Sequence, residues 1–178
     1  MTLFFYVIIG IITFVAFLHA WAKKEYNVSR TVVINRPKAE VYAFVRQLKK
    51  QPLWIPWYLD DPKVVIKFKG EDGKVGATSY WKGRNNIEGI QKIVKIKEGK
   101  VLETQLLFIK PYKSLSLLYV AVKEMDSNRT KMVWGVKGVH KFPASVIMLF
   151  YGMERALGKH FEAGLYNLKT HLERNKLN

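Results

Sequence analysis

The chain contains no cysteine. That removes disulfides, thiolate metal sites and a cysteine nucleophile from consideration, and it suits a reducing compartment without excluding an oxidising one. Acidic residues are scarce: 14 Asp and Glu stand against 30 Lys and Arg, for a formal net charge of +16. Catalytic signatures are missing as well. There is no GxSxG elbow, no HExxH, and no Ser, His and Asp set at a recognisable spacing. The four histidines are His19, His140, His160 and His171. His160 and His171 share a predicted helix face but lie roughly 16 Å apart along it at ~1.5 Å per residue, too far to hold one metal. Neither a metal nor a cofactor is expected. Repeats and low-complexity tracts are absent.

Charge is also missing from the first 22 residues, and here the absence is informative. Leu3 to Ala22 reads LFFYVIIGIITFVAFLHAWA, with twelve of its twenty residues Leu, Ile, Val or Phe. Twenty helical residues span ~30 Å, the hydrocarbon thickness of a bilayer. At roughly −0.3 to −0.6 kcal/mol each, the twelve favour insertion by about 4–7 kcal/mol. Tyr6 and Trp21 sit toward the ends, where amphipathic aromatics prefer the interface. A cleaved signal peptide is the alternative, since Ala20-Trp21-Ala22 matches a small-x-small site. Against it, no Lys or Arg precedes the run, and the run exceeds the usual ~7–15-residue core. An uncleaved anchor over residues 3–22 is expected. Lys23 and Lys24 follow at once, so the positive-inside bias puts the domain of residues 23–178 in the cytoplasm, on a single-pass membrane protein.

The whole +16 therefore belongs to that domain. Nucleic acid and anionic lipid are the usual partners of such a charge. The basic residues come in short groups, such as Lys49-Lys50 and Lys92, Lys95 and Lys97, with no zinc-finger spacing and no RNP-like aromatic motif. Beside an anchor, an anionic membrane surface is the expected partner and nucleic acid is not. A solvated basic face is the plainer alternative.

Patterning supplies the architecture. Tyr26 to Ile34 is rich in β-branched residues and reads as a strand. Pro37 suits the first position of a helix, and Val41, Phe44, Val45 and Leu48 follow at helical spacing. The stretch QPLWIPWYLDDP ends that helix in a loop or a short second helix. Strands are predicted over residues 63–69, 75–81, 88–96, 101–109, 114–122 and 131–139, with Asp72-Gly73 a hairpin signal. In the last of these, Met132, Trp134 and Val136 share one face. Pro143 opens a helical region that Gly152 is placed to bend. Beyond it Leu157, Phe161, Leu165, Leu168 and Leu172 form one apolar stripe. The fold class is α+β: a curved antiparallel sheet around a long C-terminal helix, with room for a cavity between them.

The segments SRTVVINRPKAEVYAFVRQLKK, LWIPW, KVGATSYWKGRNNIEGIQKI, FIKPYKS and TKMVWGVKG, taken in this order, resemble the START-like (SRPBCC) superfamily, in its polyketide cyclase/dehydrase and lipid-transport branch. The resemblance runs from Tyr26 to about Leu172. It implies a helix-grip fold whose groove, between sheet and C-terminal helix, holds an apolar ligand.

The candidate site residues follow from the pattern. Trp54, Trp57, Trp81, Phe108 and Trp134 lie in the proline-rich loop or on predicted inward positions, and Phe161 and Leu165 face them from the helix. Aromatic faces suit a hydrophobic ligand, although core packing explains Trp134 equally well. Trp54 and Trp57 are expected at a pocket lip or against the membrane. Glu88 shares its strand parity with Ile90, Val94 and Ile96. If that face lines the cavity, its carboxyl would have a raised pKa and acid–base use; a carboxylate at a strand end, paired or solvated, is the alternative. The expected function is membrane-tethered binding of a hydrophobic small molecule (lipid, isoprenoid or polyketide-like) without catalysis. The alternatives are a cyclase- or dehydratase-type enzyme using Glu88, and an interaction or scaffold domain without ligand.

Overall fold

The computed structural model describes residues 1–22 and 24–174. Lys23 and residues 175–178, where the expected domain begins and ends, lie outside the described residues.

The first helix, α1 (Thr2–Trp21), has a mean hydropathy of 2.4 and none of its residues is buried in the domain. It is long and apolar enough to cross a membrane. After it the order is β1 (Glu25–Ile34), α2 (Lys38–Val45), a 3-10 turn over Leu48–Leu53, α3 (Pro56–Leu59), six strands, then two helices. The strands are β2 (Val65–Lys69), β3 (Thr78–Lys82), β4 (Glu88–Lys97), β5 (Val101–Lys110), β6 (Ser114–Asp126) and β7 (Arg129–Val139). The helices are α4 (Ala144–Tyr151) and α5 (Met153–Arg174).

Seven antiparallel strands form one sheet in the order β1-β7-β6-β5-β4-β3-β2. Consecutive strands β2 to β7 pair as hairpins, and β1 closes the sheet against β7. Period-two alternation decides which face is apolar. On β7, Met132, Trp134 and Val136 are buried; on β6, Leu118, Val120 and Val122; on β1, Val28 and Ile34. α5 lies over β1 and β7 and buries Phe161, Leu165, Leu168 and Leu172, with Leu157 half-buried. Each such side chain contributes about 1.5–3 kcal/mol by leaving water. α2 adds Val41, Phe44 and Val45 from the other side of the same face.

Local chemistry explains the joints. Asp72, in the β2–β3 turn, accepts from the backbone N–H of Leu48 at 2.7 Å and of Lys49 at 3.2 Å, so it caps the 3-10 turn from outside. Gly152 separates α4 from α5 with a φ of 66°, a backbone state that glycine adopts without a Cβ penalty. Two glycines of α5 face the sheet. A Cβ at Gly164 would stand 2.7 Å from the Trp134 ring, and one at Gly158 would collide with the Arg30 guanidinium. The helix therefore lies closer to the strands than any larger residue permits. Arg30, on the inward face of β1, is ion-paired to Glu154 and Glu162 of α5.

The two ends of the sheet differ. At one end lie the β4–β5 and β6–β7 turns and the C-terminus of α5, tied by the Arg36 Nε bond to the Leu172 carbonyl at 2.8 Å. At the other lie the start of β1, the β5–β6 hairpin, the β3–β4 connection, α4 and the start of α5. The last turn of α1 joins this second end. His19 Nδ1 is 2.7 Å from Ser145 Oγ, and the His140 N–H donates to the Lys24 carbonyl at 2.7 Å.

Candidate functional site

The groove between α5 and the sheet is filled by aromatic rings. Trp134 sits centrally: its ring centroid is 4.3 Å from Phe161, 4.7 Å from Trp54 and 5.7 Å from Trp57. The first two contacts are edge-on, an arrangement that suits the ring quadrupoles, and the third is tilted. Trp81 and Phe108 form a separate edge-on pair at 5.4 Å, with the Trp81 indole laid directly on Gly89, where a Cβ would overlap it. Trp54, Trp81, Trp134, Phe161 and Leu165 are buried, whereas Trp57 and Phe108 are half-buried. Five of the sequence-predicted residues (Trp54, Trp57, Trp134, Phe161 and Leu165) thus come together around α5, and Trp81 with Phe108 lies farther along the sheet.

One expectation is corrected within this set. Trp54 is only 1% exposed and is no lip residue; its loop folds inward because the 3-10 turn carries it under α5. Asn167 Nδ2 of α5 donates to the Trp54 carbonyl at 3.3 Å and holds the two segments together.

The space enclosed between the 3-10 turn and the sheet is small. A void of about 10 Å³ is lined by Val45, Gln51, Trp54, Gln91, Thr104 and Trp134, with other side chains of β5 and β6. That is room for about one water, against the ~300–1,000 Å³ typical of small-molecule pockets. Its lining is partly polar. Gln91 Nε2 donates to Thr104 Oγ1 at 3.0 Å in the interior. Gln51 Oε1 and Trp54 Nε1 are buried with no hydrogen-bond partner among the described residues. Each such group costs about 1–3 kcal/mol when left unpaired. The sequence reading missed Gln51, Gln91 and Thr104. For Thr104 a signal was present, its shared parity with Leu102 and Leu106 on β5; for Gln91 there was none, because strict alternation put it on the outward face. In α3, burial pushes the Tyr58 phenol up to about 12.

Glu88 requires a second correction. It lies on the face opposite Trp81 and pairs across strands with Lys82 and Lys110. Its Oε1 is 3.2 Å from Lys110 Nζ and 3.3 Å from Lys82 Nζ. The Lys110 hydrogen bond, then Lys82, outweigh burial and hold the carboxyl below its ordinary value. It is an ionised partner of two lysines rather than a raised acid facing a cavity. The inward residues of β4 are Gly89, Gln91 and Ile93. A bulge between Ile93 and Lys95 shifts the phase, so that Ile96 turns inward with them. Strict alternation, carried back from Ile96, placed Glu88 on the wrong face.

Comparison with solved structures decides the fold. The chain superposes on the Zhui aromatase/cyclase from Streptomyces sp. R1128 with a TM-score of 0.63, at 15% identity over 84% of this chain and 94% of that one. This chain has the START-like, helix-grip fold. A Thermobifida fusca protein gives a TM-score of 0.62 at 19% identity, over 83% of this chain and 93% of its own. DynU16, described as a putative protein in the dynemicin biosynthetic locus, gives 0.57 at 14% identity, over 83% of this chain but 47% of its own. No protein-family model and no curated protein matches the chain. At these identities the helix-grip likeness is one of architecture.

Proposed function

We propose that this protein is a membrane-tethered helix-grip domain that binds a hydrophobic small molecule carrying one polar group. The observation that supports this most is the void enclosed by α2, the 3-10 turn and strands β4 to β7. Its walls are largely indole and aliphatic, while Gln51 Oε1 and Trp54 Nε1 are buried there with no partner among the described residues, beside the Gln91–Thr104 pair. A core selected only for stability gains nothing from that arrangement. A ligand's hydroxyl, carbonyl or amide would satisfy both atoms, and its apolar remainder would replace Trp57 or part α5 from the sheet. The groove is closed in this state, so binding requires such a displacement. Half-buried Leu106 and Phe108 near the end of β5, with Met153 and Leu157 at the start of α5, lie toward the sheet end joined to α1. This is the natural mouth, and the anchor would hold it at the bilayer, with the domain on the cytoplasmic side by the positive-inside bias.

The test is organic extraction and mass spectrometry of the full-length protein, purified in mild detergent. One hydrophobic compound at near-stoichiometric amount in the native protein, depleted in Leu165→Trp and in Gln51→Leu, supports the reading. If neither the native protein nor a Trp57→Ala variant retains any compound or takes up an added apolar probe, ligand binding is refuted. An interaction or scaffold domain would then be the better description.

A further inference from the structure

We infer that α4 is a second membrane contact, lying in the headgroup region beside α1 and seating the mouth end of the sheet on an anionic bilayer surface. The inference rests on the tether reading above and adds a specific surface to it. α4 reads ASVIMLFY and has no charged residue. Its Ser145 is buried, whereas Ile147, Leu149, Phe150 and Tyr151 are exposed, as is Phe142 just before it. Surface helices of soluble domains turn polar residues outward. Here the outward side is apolar, and no element among the described residues covers it.

Its position identifies the covering medium. His19, in the last turn of α1, meets Ser145 Oγ at 2.7 Å and packs edge-on against Phe142 at 5.5 Å. If α1 spans the bilayer, α4 begins at the depth where α1 leaves it. Tyr112 and Leu115 of the β5–β6 hairpin are exposed at the same end. So are Lys24, Lys113 and Lys141, which make no ion pair among the described residues. Aromatic and aliphatic side chains ringed by lysines are the composition of interfacial elements that insert shallowly and attract anionic headgroups. The φ of 66° at Gly152 frees α4 from the axis of α5, so the short helix can follow the bilayer plane while α5 follows the sheet. Continuity with α1 and the basic rim favour lipid over a second copy of the chain.

The native chain has no cysteine, so single cysteines can carry an environment-sensitive fluorophore in the full-length protein, reconstituted in vesicles of mixed neutral and anionic lipid. The positions are Ile12→Cys in α1, Ile147→Cys and Phe150→Cys in α4, and Met125→Cys at the far end of the sheet. Nitroxide-bearing lipid should quench the labels at 12, 147 and 150 severalfold more than the label at 125. Quenching at 147 and 150 should weaken when Lys113 and Lys141 are both changed to Gln. Quenching at 12 with water-exposed labels at 147 and 150 overturns the α4 contact and leaves the tether intact. Labels at 147 and 150 that are shielded from water but not quenched by lipid also overturn it, and assign the face to a protein partner such as a second copy. Loss of quenching at 12 is the separate result that would sink the tether itself.

Discussion

Replacing Gly164 by alanine tests the closed groove directly. In an exposed helix interior this change stabilises by about 0.8–1.0 kcal/mol, because alanine loses less backbone freedom on folding. At Gly164 the new Cβ would lie 2.7 Å from Trp134 Cζ3 and 3.2 Å from Pro56 Cδ. Trp134 cannot yield easily, being wedged among Trp54, Trp57 and Phe161. Overpacking of this kind costs about 1–3 kcal/mol. The two effects oppose each other, and the net expectation is a loss of up to about 2 kcal/mol. Gly158 is the internal control, on the same helix and also turned inward. There the collision is with the Arg30 guanidinium, the end of a flexible side chain whose partners Glu154 and Glu162 are largely exposed. Rearranging an exposed ion pair costs only about 0.2–1 kcal/mol, so Gly158→Ala should be near neutral. The assay is urea unfolding of the full-length protein in detergent, followed by tryptophan fluorescence, with the midpoints of both variants compared at unchanged slope. Gly164→Ala should fall below Gly158→Ala by up to about 2 kcal/mol. Equal midpoints would refute the reasoning, because they would mean that the Trp134 cluster has slack.

Further outcomes are expected elsewhere. Asp72→Ala removes the acceptor for the Leu48 and Lys49 N–H groups and should cost about 0.5–2 kcal/mol in the same unfolding assay, while Asp72→Asn should recover most of it. Glu88 has a depressed folded pKa caused first by Lys110 and then by Lys82. The stability it contributes is therefore complete above its unfolded pKa and is lost as pH falls through its folded one. An acid titration of Glu88→Gln should be flatter than the native curve in that window, and identical curves would contradict the pairing. If α1 spans the bilayer, the full-length protein should remain in the membrane pellet after carbonate washing; recovery in the supernatant would contradict the anchor. The domain should associate with anionic vesicles more than with neutral ones and weaken with salt, since exposed charges are screened within ~10 Å at 0.1 M. Equal association would leave its basic residues as a solvated surface.

The elements of this fold are legible along the chain because each is specified by local chemistry. A charge-free run of twenty residues specifies α1. Period-two alternation specifies the strands, to within a few residues of their observed ends. The stripe Leu157, Phe161, Leu165, Leu168 and Leu172 specifies the buried face of α5, and Gly152 marks the break before it. What escaped the sequence depends on relations between elements. The bulge in β4 comes from pairing with β5 and accounts for Gln91 pointing inward, and a second register shift beside Glu88 sets its carboxylate against Lys110 on the opposite face. The volume of the groove is likewise a property of the packed assembly. Glycines at 158 and 164 let α5 descend onto the sheet, and the indole of Trp134 fills the space beneath Gly164. The same aromatic residues at a slightly greater helix–sheet distance would line a pocket. Local sequence determines which side chains face the groove; only the tertiary distance, set by the contacts with Gly164 and Arg30, decides that they close it.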